Sequence, residues 1–314
     1  MEFIFYLIVG FALLIVAGEL LVRGAVSIAA YFGIPSLVIG LTIVAFGTSA
    51  PELVISLKAA LTGHGDIAVG NVVGSNIANI LIVLGLPAIL KAIPCDASGT
   101  LRNAAFMVFA TAVFIVFSFF QPFTIWHGLV FLALLAIFLG DSVVFSRKNR
   151  TEATDGEVLE GRVDNLALAS GMLILGLIGL PLGGNLAVDG AVGLAKLYGV
   201  SEAAIGLTIV ALGTSLPELF TGLIAARRGH TELAMGNVIG SNVFNILAIL
   251  GITALITPVY APARIVSFDM WVMVGSSLFL LPFALYCLPI TRRIGVLMVL
   301  SYIAYTYIVF RSDI

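Results

Sequence analysis

Apolar residues run along this chain in long, nearly unbroken blocks separated by short polar breaks. They do not recur at the three-to-four-residue spacing of a half-buried helix. Blocks of roughly 18 or more apolar residues are long enough to cross a bilayer as helices. About ten such helices are predicted, at residues 3–30, 36–61, 66–90, 103–121, 125–146, 165–196, 202–226, 232–257, 265–288 and 292–310. The expectation is an all-α integral membrane protein with no separate soluble domain. The opening block carries only Glu2 before its apolar run, so it reads as the first span and not as a cleavable signal.

Composition agrees with that pattern. The chain is 61% hydrophobic and 10% charged, against about 25% charged residues in soluble domains. Cys95 and Cys287 lie in opposite halves without metal-binding spacing and read as packing residues. The net charge of −2 says little; the placement of the positive residues says more. With the N-terminus outside, eleven of the fifteen Lys and Arg residues fall on the cytoplasmic side. The expected topology is therefore N-out, with a cytoplasmic linker at 147–164.

The polar breaks repeat. "GELLVRGAVSIAAYFGIPSLVIGLT" from Gly18 matches "GNLAVDGAVGLAKLYGVSEAAIGLT" from Gly184, and 37 of 67 positions (18–84 against 184–250) are identical without a gap. Shared lipid-facing composition cannot align Gly, Thr, Ser, Pro, Glu and Asn in this way, so the chain is a duplication. The expected units are residues 1–146 and 165–314, with repeat motifs at about 36–84 and 202–250. Five helices per half is an odd number, so the second half enters the membrane inverted. Inverted repeats are a mark of secondary transporters, with the substrate site where the repeats meet.

The motifs "GTSAPE" (47–52) and "GTSLPE" (213–218) put a carboxylate and a proline mid-span. A buried membrane carboxylate is costly and implies a cavity or a partner. Thr48 and Ser49 share a face with Glu52, as Thr214 and Ser215 do with Glu218. Pro51 cannot donate to the carbonyl of Gly47, so a local break is expected, with Ala45 and Gly47, and Ala211 and Gly213, as candidate carbonyl donors. On the next helix Asn71, Ser75 and Asn79 form a polar stripe, repeated by Asn237, Ser241 and Asn245. The steps Gly70/Gly74 and Gly236/Gly240 permit close helix contact. This all-oxygen inventory suits a hard cation such as Ca²⁺, which takes about 6–8 oxygen ligands. The absence of His and Cys beside the motifs disfavours transition metals. Glu19 and Arg23 read as an intrahelical ion pair, His64 and His230 as turn residues, and Asp141 and Asp269 as interfacial.

With these paired hairpins the chain resembles the calcium/cation antiporter superfamily, in its sodium/calcium exchanger branch. The resemblance implies ten transmembrane helices as two inverted five-helix repeats, and Na⁺-driven Ca²⁺ extrusion by alternating access at the plasma membrane. It implies that Glu52 and Glu218 bind both cations, that Thr48, Ser49, Thr214 and Ser215 add oxygens, and that Ser75 and Ser241 complete Na⁺ sites. It places the Ala45 and Ala211 carbonyls beside the site and Asn79 and Asn245 in its middle. The first and sixth helices would slide to switch access. Many relatives carry Asp where this chain has Asn245, and Asp there accompanies K⁺ co-transport, so K⁺ independence is expected. No cofactor, enzymatic activity or nucleic acid is expected; the partners are Ca²⁺, Na⁺ and the bilayer, and the working unit is a monomer. The alternatives are H⁺/Ca²⁺ antiport and a cation channel. The proton-coupled branch carries an acid where this chain has Gly74 and Gly240. A channel needs no inverted duplication, and a pump is disfavoured by the lack of a phosphate-binding loop.

Overall fold

The computed structural model describes residues 2–97, 99–148, 163–198 and 211–312. In chain order the helices of the first half are α1 (Glu2–Phe32), α2 (Ser36–Thr48), α3 (Ala50–Leu61), α4 (Gly65–Leu90), α5 (Thr100–Ser118) and α6 (Ile125–Lys148). The second half holds α7 (Leu166–Leu197), the short α8 (Ala211–Thr214), α9 (Leu216–Arg228), α10 (Thr231–Ile256), α11 (Ile265–Leu285) and α12 (Arg292–Val309). Among the described residues, eight of these are long and apolar enough to cross a membrane singly. α2 and α3 are apolar enough only when taken together, with a bend of 43° between them. The expected tenth, 202–226, begins outside the described residues and is seen from Ala211 onward as α8 and α9.

The bend follows from the sequence. Proline at the first turn of α3 has no N–H for the preceding turn. Ser49 between α2 and α3 sits at φ −84°, ψ 4°, and Ser215 between α8 and α9 at φ −89°, ψ 6°. Both values lie in the sparsely populated bridge region common at functional sites.

The two halves are related by a pseudo-twofold axis, visible in contacts that repeat with the two halves exchanged. A methyl group on Gly10 would collide with the backbone of Ala187, and one on Gly176 with the backbone of Leu21. Adding 166 to 10 and to 21 gives 176 and 187, so these are one contact seen twice. Gly24 against Leu173 and Gly190 against Leu7 form a second such couple. As residue numbers rise along α1 they fall along the facing stretch of α7, so these equivalent helices are antiparallel. An axis relating antiparallel spans lies in the membrane plane, which is the inverted arrangement. The backbone pairs Ile93–Ile290 and Phe123–Val259 repeat the relation to within one residue.

α4 and α10 form the centre. Their most apolar stretches are 83% buried, against 28% for α1 and 17% for α12, whose outer faces are left for lipid. The centre is held by backbone-to-backbone contact across the repeats. Gly236 packs on the carbonyl of Leu37, and Gly240 on the carbonyl of Leu41 and the methyl of Ala45. Any side chain there would push α2 away from α10.

Candidate functional site

The bends of both repeats converge on α4 and α10. Glu52, from the first turn of α3, and Glu218, from the first turn of α9, are each only 1% exposed. The two carboxylates lie near enough to repel one another. The contact between repeats is made by their own motif residues. Ser49 Oγ donates to Glu218 Oε1 at 3.0 Å, and Thr48 Oγ1 donates to Asn237 Oδ1 at 3.2 Å. The hydroxyl of Ser241 also lies beside Glu218.

Around this crossing the remaining oxygens are buried without a hydrogen-bond partner: Glu52 Oε2, Glu218 Oε2, Asn79 Oδ1, Asn245 Oδ1, Ser215 Oγ and Ser241 Oγ. A buried unsatisfied polar atom costs about 1–3 kcal/mol. Such a concentration makes this the candidate binding centre. The donors are all hard oxygens, two of them from carboxylates, and they fit a small, strongly hydrated cation. Ser75, 4% exposed, lies one turn before Asn79 on α4. Asn79 and Asn245 each open a widened, π-type turn, at Asn79–Leu84 and Asn245–Ile249. Such turns recur at functional sites.

Thr214 stands at the edge. It lines a small cleft with Pro51, Gly213 and Pro217 from the two bends and Pro181, Gly184, Asn185 and Val188 from α7. The contacts Leu14–Gly183 and Ala17–Gly179 put the crossing of α1 and α7 near the midpoint of both helices. On α7 the lining of the cleft runs from Pro181, at that crossing, to Val188.

Two profile matches to one family, the sodium/calcium exchanger protein family, cover residues 2–143 and 168–311, nearly the whole chain. The chain belongs to the sodium/calcium exchanger family. It is similar to the sodium/calcium exchanger MaX1 of Methanosarcina acetivorans, with 32% identity over 97% of both chains. It is also 37% identical to the inner membrane protein YrbG of Escherichia coli, over 90% of this chain and 87% of that one. Among solved structures, the sodium-calcium exchanger NCX_Mj soaked with 10 mM Na⁺ and 10 mM Sr²⁺ superposes with a TM-score of 0.81 at 33% identity. That match covers 96% of this chain and 97% of the other.

Several expectations are revised by the geometry of this family member. Asn71 does not join the oxygen stripe: its Nδ2 donates to Ser56 Oγ at 2.9 Å and to the Glu52 carbonyl at 3.3 Å, tying α4 to α3. The Ala45 carbonyl is not freed by the break. It accepts the Ser49 N–H at 3.0 Å and Thr48 Oγ1 at 3.4 Å. In the second motif the Ser215 N–H goes to Leu212 O at 3.2 Å. Glu19 is bound by Arg228 across to α9, with Arg228 Nε at 2.7 Å from Oε2 and Nη2 on Oε1. Asp269, read as interfacial, is buried and accepts from Tyr305 Oη at 3.0 Å. Asn76 and Asn242 join the central network and were absent from the expected set. The signal was available, since "GSN" repeats intact in both halves.

Proposed function

We propose that this exchanger uses inward Na⁺ movement to extrude Ca²⁺ across the plasma membrane by alternating access around Glu52 and Glu218. The observation that carries the reading is the meeting of two buried carboxylates, one from each inverted repeat, with Ser49 of the first repeat donating to Glu218 of the second. One Ca²⁺ neutralises that pair, and so do Na⁺ ions bound in its place; the two substrates therefore compete, and exchange requires competition. Bare carboxylates buried together are costly, which disfavours crossing of the empty carrier and keeps the fluxes coupled.

In this reading Thr48, Ser49, Thr214, Ser215, Ser75, Ser241, Asn79 and Asn245 contribute oxygens around the two acids, with the Ala45 and Ala211 carbonyls beside them. Residues 1–146 and 165–314 are the two repeats, joined by a cytoplasmic linker at 147–164, and the N-terminus is outside. A single chain contains both halves of the site, so the monomer is the working unit. Asn245, a neutral residue, supports K⁺ independence. The cleft beside α7 lies on the side of Asn185, while the Glu19–Arg228 pair closes the pseudo-equivalent place on the linker side. That contrast supports an outward-facing state.

The test is ⁴⁵Ca²⁺ uptake into proteoliposomes preloaded with Na⁺, K⁺ or a proton gradient. Na⁺ loading drives uptake, and K⁺ neither drives nor is required for it. Uptake driven by a pH gradient alone and indifferent to Na⁺ overturns the proposal in favour of proton antiport.

A further inference from the structure

An asparagine amide has one donor end and one acceptor end, so a chain of amides has a direction. Asn76 Nδ2 donates to the backbone carbonyl of Asn242 at 3.3 Å. Asn245 Nδ2 donates to Asn76 Oδ1 at 3.0 Å. Asn76, Asn242 and Asn245 are each 1% exposed. The Asn242 carbonyl can only accept, so Asn76 must turn its NH₂ toward it and its oxygen toward Asn245. Asn245 must then give its own NH₂ to Asn76. Reversing either amide would press two acceptors together where no water can intervene.

The consequence falls on the other end of Asn245. Its Oδ1 is buried without a partner, one turn along α10 from Ser241 and its neighbour Glu218. We infer that Asn76 is a positioning residue that locks Asn245 with its carbonyl oxygen, not its NH₂, toward the transported cations. The inference rests on the exchanger reading above. It also explains how a neutral residue serves here, because a carboxylate at 245 would face Asn76 Oδ1 with no hydrogen to offer.

The relay is confined to one side of the pseudo-twofold. Its mirror image would run from Asn242 to Asn79. Instead Asn242 Nδ2 points at Met107 Sδ, 3.5 Å away, and both amide atoms of Asn79 are without partners. Asn245 is thus held ready, whereas Asn79 is left to be oriented by the ion. Preorganisation of this kind stabilises binding by lowering the cost of ordering the ligand.

The experiment is a double-mutant cycle on Na⁺-driven ⁴⁵Ca²⁺ uptake in proteoliposomes, reading KM for Ca²⁺ and kcat separately. Asn76→Leu is expected to raise KM about tenfold and to change kcat less than about twofold. In an Asn245→Ala background, Asn76→Leu should alter KM less than about twofold. Should Asn76→Leu fail to fold, Asn76→Ala takes its place in the same cycle. A purely packing role gives the same loss in both backgrounds, and that additivity overturns the inference, as does an Asn245→Ala variant with unchanged KM. Wild-type protein without Na⁺-driven uptake would instead sink the exchanger reading itself.

Discussion

The ion pair between Glu19 and Arg228 joins α1, which lies across the core, to the end of α9 within the core. Its worth can be bounded from the structure. Both side chains are 32% exposed, so solvent screens the attraction, and pairs of this kind are worth about 0.2–1 kcal/mol. The arginine fork makes two bonds to one carboxylate, which puts it at the upper end of that range, about 1 kcal/mol. If the pair exists only when the linker side is closed, Arg228→Gln shifts the ratio of the two access states about fivefold toward the open linker side. Apparent affinity scales with the populated fraction of the competent state. KM for Ca²⁺ presented from the linker side should therefore fall by up to about fivefold, with no matching fall on the opposite face. The measurement uses oriented proteoliposomes, with Ca²⁺ varied on one face at a time. High choline chloride should move the wild type toward the variant, because salt screens exposed pairs. Restoration by the reversed pair Glu19→Arg with Arg228→Glu would tie the effect to the bond. Equal changes on both faces, or a reversed pair no better than either single change, would refute the latch.

Glu52→Gln and Glu218→Gln should each abolish exchange without lowering Tm, because each removes one of two mutually repelling buried charges; retained exchange in both variants discards the site. Ser49→Ala removes a charge-assisted bond of 3.0 Å to Glu218, typically about 1.5–3 kcal/mol. A rise in KM of at least about tenfold is expected, and an unchanged KM would separate Ser49 from the binding centre. Gly240→Ala would place a methyl 2.5 Å from the Leu41 carbonyl and 2.6 Å from Ala45 Cβ. Loss of transport and a lower Tm should follow together. Burial pushes the Cys95 thiol up to about 12, so at pH 8 only about one molecule in 10⁴ carries the thiolate. Maleimide at that pH should therefore modify exposed Cys287 and spare Cys95 until the protein is unfolded, a result that peptide mass spectrometry reads directly.

The spans were legible because lipid imposes a long apolar block on any helix facing it. The pairing of the two motifs was legible because the repeat preserved polar residues that membrane composition alone would not supply. What escaped was the direction in which polar side chains turn. Asn71 lies on the same helical stripe as Ser75 and Asn79, yet it faces Ser56, because the neighbouring helix offers a hydroxyl at that level. Glu19 has an arginine four residues on, the spacing of a helical ion pair, but its carboxylate is held by one 209 residues away. Local spacing identifies which groups can meet along one helix; it carries no information about a partner brought in by tertiary packing. The widened turns at Asn79 and Asn245 likewise leave no mark in an apolar sequence such as "NILIVL".

A duplicated carrier with identical halves would have equal energies in its two access states, since exchanging the halves converts one state into the other. One way to bias such a machine is to break the repeat where α1 and α7 meet the helices that carry the site. The sequence breaks it at two aligned pairs. Glu19 and Arg228 on one side correspond to Asn185 and Thr62 on the other, and only the first pair can form a charged link. The difference has the right form to favour one state by about 1 kcal/mol without altering any oxygen of the site. Larger asymmetry would trap the carrier, because every cycle must cross both states. A modest, solvent-screened bond on one side is therefore better suited to directional bias than a buried one, whose loss would cost about 3–5 kcal/mol on each turnover.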